Sequence, residues 1–320
     1  MPLLDMPLEQ LKQYRGTNPK PSDFDEYWER ALAELASVDK QVLLEPFDFP
    51  SAHSDSFEMT FTSTKGARIY ARLMKPKNIQ GKVPAVLCFH GLGGDFDDWV
   101  FLNSYASQGY VVAALDCRGQ GGRSQDVGGI HGTTYSTPFI RGLDGHPDDL
   151  YVRDLFLDTA AFAQIVMDFD FVDETRVGVL GISQGGGLSV ACAALVPQIK
   201  LCAPNYPYMS DYLRVWEMDL DKRAYEGLQY YLRQFDPRHE RIAEIFTKLG
   251  YIDIQHLAPR IRANVLMATG LMDDVCPPST QFAAYNKMNT QKKVVIYPDF
   301  GHEDLKGHDE IVFRFFAENL

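Results

Sequence analysis

The stretch Arg176-Val-Gly-Val-Leu-Gly-Ile-Ser-Gln-Gly-Gly-Gly-Leu-Ser-Val190 decides the fold. Its first half is a short apolar run, typical of a strand buried on both faces, and a helical pattern follows. At the junction, Gly181, Ser183 and Gly185 form a G-x-S-x-G pattern. Such a tight turn strains the backbone of the serine and presents its hydroxyl at the carboxyl edge of the sheet. An ordinary glycine-rich turn is the alternative, but the flanking strand and helix favour a nucleophilic serine.

Similar apolar runs recur along the chain and predict the other strands of the sheet. They are separated by helical segments, of which 148–169 is the longest, and this alternation predicts an α/β fold. We therefore expect one α/β-hydrolase domain over residues 1–320, with a mostly parallel central sheet flanked by helices. The remaining strand predictions are a hairpin of 56–63 with 67–75 and parallel strands at 84–91, 110–119, 263–270 and 292–299.

Two segments fall outside this alternation. Residues 1–40 form a predicted N-terminal helical arm, in which Ser22 or Asp23 is placed to cap the helix. Residues 205–255 are rich in Tyr, Asp and Arg and show a helical pattern without a strand pattern. Because this segment lies between two predicted strands, we interpret it as a helical insertion that caps one edge of the sheet.

Composition excludes several classes of protein. The 320 residues include 31 basic and 43 acidic side chains, a net charge of −12, which disfavours binding to a nucleic-acid backbone. The 45% hydrophobic content argues against disorder, while no apolar run is long enough to predict a membrane span. Five widely spaced cysteines and the lack of a signal-peptide pattern predict a cytoplasmic protein with reduced thiols. With neither a CxxC nor an HExxH motif, we expect no zinc site.

A serine nucleophile needs a base and an acid that orients the base, and both candidates follow late strands. Asp273 comes three residues after the end of one strand, with Asp274 as the less favoured alternative. His302 follows the last strand through a glycine turn. The order Ser183, Asp273, His302 is the order of an α/β-hydrolase triad. The alternatives are that the aspartate caps the next helix and that the histidine is a surface loop residue.

The segment His90-Gly-Leu-Gly-Gly94 follows the first parallel strand and is similar to an oxyanion-hole loop. We predict that the backbone amides of Leu92 and Gln184 stabilise the oxyanion, with His90 in a structural role. The glycine-rich loop 116–121 lacks a phosphate-binding motif and is expected to buttress the site. The remaining candidates either line a substrate pocket or pack the cap onto the body: Trp99, Tyr206, Tyr208 and Trp216.

Taken together, these motifs resemble carbohydrate esterase family 7, the acetyl xylan esterases and cephalosporin C deacetylases. The resemblance spans nearly the whole chain and is carried by HGLGG at 90–94, DCRGQGGRS at 116–124, RGLDG…YVRD at 141–154, GISQGG at 181–186, GLMDDVCPPST at 270–280 and FGHE at 300–303. It implies a triad of Ser183, Asp273 and His302 and hydrolysis of acetyl esters of sugars and of cephalosporin C. It further implies perhydrolysis, no metal or organic cofactor, and a homohexamer.

One position departs from the family pattern, because Leu92 stands where a tyrosine is common. A backbone amide serves as the donor there, so we expect the substitution to affect specificity and to leave the chemistry intact. Two rival interpretations remain. A serine peptidase of the prolyl oligopeptidase type shares the serine turn but usually carries a large additional β-domain. A non-catalytic binding scaffold does not need all three triad positions filled.

Overall fold

A computed structural model describes residues 4–96, 98–127 and 137–320. Within these residues, nine strands form one sheet in the order β1-β2-β3-β5-β4-β6-β7-β8-β9. The first three strands and β5 pair antiparallel, and all pairs from β5 to β9 are parallel. The strands are β1 (Leu43–Phe47), β2 (Ser54–Thr62), β3 (Arg68–Pro76), β4 (Val83–Phe89), β5 (Val111–Leu115), β6 (Val172–Ile182), β7 (Leu201–Asn205), β8 (Asn264–Gly270) and β9 (Lys292–Tyr297).

Helices cover both faces of the sheet. Helices α4 and α5 pack on one face with the N-terminal helix α2, while α3 and α11 cover the other. None of the helices in the described parts of the chain has the length and apolar character needed to cross a bilayer. The α-helices are α1 (Leu8–Leu11), α2 (Phe24–Ser37), α3 (Trp99–Ala106), α4 (Tyr151–Met167), α5 (Gln184–Leu195), α6 (Tyr212–Glu217), α7 (Glu226–Phe235), α8 (Ile242–Leu249), α9 (Ile254–Leu257), α10 (Pro278–Lys287) and α11 (His308–Asn319).

Alternation along the central strands divides the core into two layers. In β6, Val177 and Val179 belong to the cluster beneath α4 and α5, whereas Leu180 packs toward α3 and α11. In β7, Leu201 and Ala203 face the same side as Leu180. Because both faces of these strands are buried, their sequences read as continuous apolar runs.

The predicted α/β fold and mostly parallel sheet are confirmed, and two strands were missed. The predicted hairpin is β2–β3, and the predicted parallel runs are β4, β5, β6, β8 and β9. The missed strands are β1 and β7, each five residues long with an internal proline, Pro46 and Pro204. Proline lacks the N–H group that pairs neighbouring strands, so a proline within a short apolar run argues against predicting a strand there.

The predicted arm and insertion correspond to helical segments. Helix α2 begins after Asp23, as predicted, but the Asp23 side chain does not cap it. Instead, that carboxylate accepts a hydrogen bond from the Tyr251 hydroxyl. Between β7 and β8, the chain forms α6 to α9 and short 3₁₀ turns, with no strand.

Candidate active site

Ser183 lies in the turn between β6 and α5, with φ 54° and ψ −117°. This is a strained conformation for a residue with a side chain, and the surroundings enforce it. A Cβ atom on Gly181 would lie 2.4 Å from the carbonyl carbon of Gly185, and one on Gly185 would lie 2.0 Å from the Phe89 oxygen. The two glycines of the pattern are therefore required by close packing around the serine.

Three side chains from separate loops form a hydrogen-bonded chain. The His302 Nε2 atom lies 3.0 Å from the Ser183 hydroxyl, and its Nδ1 atom lies 2.9 Å from Asp273 Oδ2. A carboxylate offers only acceptors, so the contact with buried Asp273 places the proton on Nδ1, which leaves Nε2 to accept from the serine. This arrangement holds the histidine in the tautomer that a general base requires.

The structure also separates the two candidate aspartates. Asp273 Oδ1 accepts hydrogen bonds from the backbone amides of Val275 and Cys276, at 2.9 and 2.8 Å, which fixes the carboxylate. Asp274 points away and forms an exposed ion pair with Arg223 at 2.9 Å. Asp273 is thus the only one of the pair in contact with His302.

The predicted oxyanion loop is tied to the serine turn by an amide pair that the sequence did not reveal. The side chains of Gln120 and Gln184 exchange two hydrogen bonds, at 2.8 and 3.0 Å. Gln120 Oε1 also accepts from the Gly93 amide at 2.8 Å, next to Leu92, and Gln120 Nε2 donates to the Tyr151 hydroxyl at 3.0 Å. Gln120 lies in the glycine-rich loop that was expected to buttress the site.

His90 has a structural environment, in line with its predicted role. Its Nε2 atom accepts from the Cys117 amide at 2.9 Å, and its Nδ1 atom lies 2.7 Å from the Gly91 oxygen. Burial lowers the pKa of this imidazole, which keeps it neutral.

All five cysteines are free and buried. Cys276 lies close to the triad candidates, because its backbone amide donates to Asp273 Oδ1 at 2.8 Å. Burial raises the pKa of the Cys276 thiol well above its usual range, so the thiol remains protonated at neutral pH.

Two cavities meet at this part of the sheet. The Ser183 cavity has a volume of about 380 Å³ and is bordered by both the serine turn and the helical insertion. A second cavity of about 470 Å³ lies on the α3 and α11 side. The Ser183 cavity is lined by Gly91, Leu92, Thr137, Ser183, Arg223, Ala224, Val275 and His302.

The four aromatic candidates have different positions. Tyr206 packs edge-on against the His302 ring at 4.9 Å and is close to the site. Trp99 stacks on Phe47 at 4.7 Å, at the edge of the sheet. Trp216 packs against the Phe246 ring within the insertion. Tyr208 is also tied to the insertion, because its hydroxyl donates a hydrogen bond to the Ala224 carbonyl oxygen. Neither tryptophan lines the two cavities beside the serine, which favours the packing alternative for them.

Comparison with known proteins agrees with this geometry. The family model described as Acetyl xylan esterase (AXE1) matches residues 1–320. The chain belongs to the acetyl xylan esterase family. As expected from the resemblance, this is a family of carboxylic ester hydrolases with the α/β-hydrolase fold.

Two solved structures and one characterised sequence are similar to this chain, and their names agree with membership of the acetyl xylan esterase family. Acetyl xylan esterase 1 from Thermoanaerobacterium sp. JW/SL YS485 is 52% identical with a TM-score of 0.97, covering 98% of this chain and 99% of that one. Acetyl xylan esterase from Paenibacillus sp. R4 is 32% identical with a TM-score of 0.94, covering 98% and 100%. Acetyl esterase Axe7A from Xylanibacter ruminicola is 28% identical over 301 residues. The match takes in 91% of this chain and 64% of the length of Axe7A.

Proposed function

We propose that this protein is a serine esterase that removes acetyl groups from acetylated xylo-oligosaccharides. The observation that carries the proposal is the hydrogen-bonded chain from Asp273 through His302 to the Ser183 hydroxyl. A serine hydroxyl is unreactive at neutral pH without such a base. Relatives named as acetyl xylan esterases support acetylated xylan fragments as the substrate class.

In the proposed mechanism, Ser183 attacks the acetyl carbonyl carbon while His302 Nε2 takes the hydroxyl proton. Buried Asp273 stabilises the resulting imidazolium without taking its proton. The carbonyl oxygen becomes an oxyanion, for which we assign the amides of Leu92 and Gln184 as donors. Leu92 lines the same cavity as Ser183, and Gln184 begins helix α5, whose N-terminal end favours negative charge.

The tetrahedral intermediate collapses when His302 returns the proton to the leaving alcohol oxygen, and the C–O bond breaks. The acetyl group then remains on Ser183 as an ester. Water next donates a proton to His302 Nε2 and attacks the acetyl carbon. The bond from that carbon to Ser183 Oγ then breaks, His302 returns the proton to Oγ, and the acetyl group leaves as acetate. Each step uses side chains and amides of this chain.

The direct test is the Ser183→Ala variant with p-nitrophenyl acetate and with acetylated xylobiose. We expect kcat to fall on the order of 10⁶-fold, because the nucleophile of a triad is removed. Ser107→Ala, at an exposed serine after α3, is the matched control and keeps wild-type rates. Near-normal turnover by Ser183→Ala would refute the proposal. Cleavage of an aminoacyl-proline amide in preference to the acetyl esters would favour a serine peptidase instead.

The same acetyl-enzyme would support two further reactions, which we propose as finer aspects of the function. Cephalosporin C presents an acetyl ester on a small alcohol, so its deacetylation follows the same steps. Hydrogen peroxide in place of water would attack the acetyl carbon and release peracetic acid. Acetate release from cephalosporin C and peracid formation are both measurable with the wild-type protein, and both should disappear in Ser183→Ala.

A further inference from the structure

The second cavity, on the α3 and α11 side of the sheet, has no role in the proposed mechanism, because neither Ser183 nor His302 lines it. Its volume of about 470 Å³ falls within the range of about 300–1,000 Å³ that is typical of small-molecule sites. Acidic, aromatic and amide side chains line it, and among the described residues of its wall none is a lysine or an arginine.

Four carboxylates border this cavity. Asp95 and Asp98 lie just before α3, while Asp304 and Asp309 lie before α11 and in its first turn. All four residues are exposed, and the Asp98 side chain also accepts from the Phe101 amide at 2.8 Å. Two separate elements therefore bring like charges to one cavity. A cleft lined by charges of one sign raises the local concentration of counter-ions, so this cavity attracts cations.

The negative charge also acts on two neighbouring tyrosines. Burial raises the pKa of Tyr105, and the charge of Asp309 raises it further. Burial likewise raises the pKa of Tyr206, and the charge of Asp304 raises it further. The carboxylates from the α11 side thus disfavour additional negative charge around the cavity, which is the condition under which a positive ligand is stabilised.

Asn205 provides a separate indication of a ligand, and its side chain lies in the wall of the cavity. Alternation along β7 puts this side chain on the same face as Ala203, which also lines the cavity. The residue is 8% exposed, and its Oδ1 atom has no hydrogen-bond partner in the described structure. A buried acceptor without a partner is rare in native proteins. An N–H group of a bound cation would provide the donor.

Aromatic rings give the cavity a surface that suits a cation with a hydrocarbon chain. Phe96, Phe101 and Tyr105 form a row along the wall, with successive ring centroids 5.6 and 5.5 Å apart. The faces of such rings attract cations, and the rings also pack against methylene groups. Ile182, 41% exposed in the same wall, adds further apolar surface.

These features favour an organic cation over a metal ion. Among the described residues, no three His, Cys, Asp or Glu side chains are close enough together to hold a metal ion. His90 in the wall uses its Nε2 atom to accept from the Cys117 amide, so that nitrogen is not open to a metal. Arg72 approaches from β3 without lining the cavity, and its guanidinium donates to the Phe96 carbonyl oxygen at 2.9 Å. Separated carboxylates match positive charges that are spaced along a flexible chain.

We propose that this cavity binds a linear aliphatic polyamine in its ammonium form. One ammonium group donates to the Asn205 Oδ1 atom, the hydrocarbon chain lies along the aromatic row, and the remaining ammonium groups pair with the exposed aspartates. A quaternary ammonium ion matches the charge and the rings but has no N–H group for Asn205. The proposal goes beyond the esterase function, because binding requires neither Ser183 nor His302.

The first test measures the Kd of spermidine by isothermal titration calorimetry at low ionic strength. We expect one spermidine for each chain, and a Kd at least about tenfold higher in Asp304→Asn/Asp309→Asn, because two charge-assisted hydrogen bonds are lost. Asp170→Asn/Glu318→Gln is the charge-matched control. It removes two exposed carboxylates outside the cavity and keeps the wild-type Kd.

The second test uses Asn205→Leu, for which the proposal predicts two opposite effects. Replacing a buried acceptor that has no partner by an apolar side chain of similar size should raise the urea midpoint of the protein without spermidine. The Kd of spermidine should rise, since the acceptor for its N–H group is gone. A lower urea midpoint with an unchanged Kd would show that Asn205 serves the fold alone and would overturn its assignment.

Three results would refute the polyamine site. They are no binding of spermidine to the wild-type protein at millimolar concentration, equal Kd values in Asp304→Asn/Asp309→Asn and its charge-matched control, and binding of tetramethylammonium or Mg²⁺ as tight as that of spermidine. Binding is measured without an ester. A failure of the proposed esterase function, seen as no acetate release, is therefore distinct from a failure of this site.

Discussion

Gln120 connects the two loops that supply the proposed oxyanion donors. Its side chain holds the Gly93 amide and the Gln184 side chain together, so removing it frees both loops. We expect Gln120→Ala to lower kcat for p-nitrophenyl acetate by roughly 10–100-fold with little change in KM. The loss should be smaller than the 10²–10³-fold effect of deleting a donor, because the amides themselves remain.

Gln108→Ala, at an exposed glutamine after α3, serves as the control and keeps the wild-type kcat. Gln120→Glu separates positioning from simple packing. It retains the acceptor for Gly93 but loses the donor to Tyr151 and to Gln184, so an intermediate kcat is expected. A loss confined to thermal stability, with kcat and KM both unchanged, would contradict a positioning role.

At the level of single residues, sequence patterns identified the three side chains that form the hydrogen-bonded chain better than the side chains that hold the surrounding loops. The serine turn predicts its own geometry, because strand, glycines and helix are local features. Ser183, Asp273 and His302 also follow strands of one parallel sheet, so topology alone brings them to one edge. Gln120 was missed because its partners lie 27, 31 and 64 residues away, and no spacing rule reports such contacts.

The strands show the same limit at the scale of elements. Strand β7 lies between β6 and β8, although Pro204 has no N–H group to donate to a neighbouring strand. In its pairing with β8, Leu201, Cys202 and Asn205 have partners and Pro204 has none. Position in the sheet, which comes from neighbouring strands, here overrides local propensity. Strand β1 tolerates Pro46 for a different reason, since it lies at the edge of the sheet.

A buried ion pair joins the loop after β5 to helix α4. Arg118 and Asp158 are 1% and 0% exposed, and two nitrogens of the guanidinium lie 2.6 Å from the carboxylate oxygens. Arg118→Met would leave a buried carboxylate unpaired, so we expect the free energy of unfolding to fall by about 3–5 kcal/mol. Urea denaturation followed by circular dichroism measures the change.

The double variant Arg118→Met/Asp158→Leu should recover most of that loss, because no unpaired charge remains. Lys82→Met, which breaks the exposed ion pair with Glu174, is the control and should have a clearly smaller effect. A double variant less stable than Arg118→Met would indicate that packing around α4, and not the unpaired charge, accounts for the loss.

The whole molecule presents an apolar sheet edge. On and beside edge strand β1, Val42, Leu43 and Phe47 are 41%, 48% and 38% exposed, and such an edge favours association.

The homohexamer implied by the family resemblance predicts a mass six times that of the 36.1 kDa chain by light scattering. Leu43→Lys should lower that mass, whereas Val100→Lys, at a position 71% exposed on α3, should not. A monomeric wild-type protein would contradict the hexamer.

Two histidines that are buried in the neutral form contribute to the loss of stability in acid. His308, at the start of α11, is 1% exposed, and neither ring nitrogen has a partner in the described structure. Burial lowers its pKa from 6.5 to about 4, and burial likewise lowers the pKa of His256 to about 3. Above pH 6.5 the two histidines are neutral in both the folded and the unfolded chain. As pH falls below 6.5, the unfolded chain binds protons that the folded chain does not, so stability decreases until the folded pKa is reached.

His308→Leu should remove one of these contributions. At pH 5 the wild-type side chain costs about 2 kcal/mol of stability relative to pH 7.5, at 1.36 kcal/mol for each pH unit below 6.5. Urea denaturation at the two pH values should therefore show a smaller pH-dependent loss in the variant by about that amount. His53→Leu, at an exposed histidine, should keep the wild-type difference. Equal losses in His308→Leu and wild type would mean that His308 gains a proton in the folded protein near its ordinary pKa.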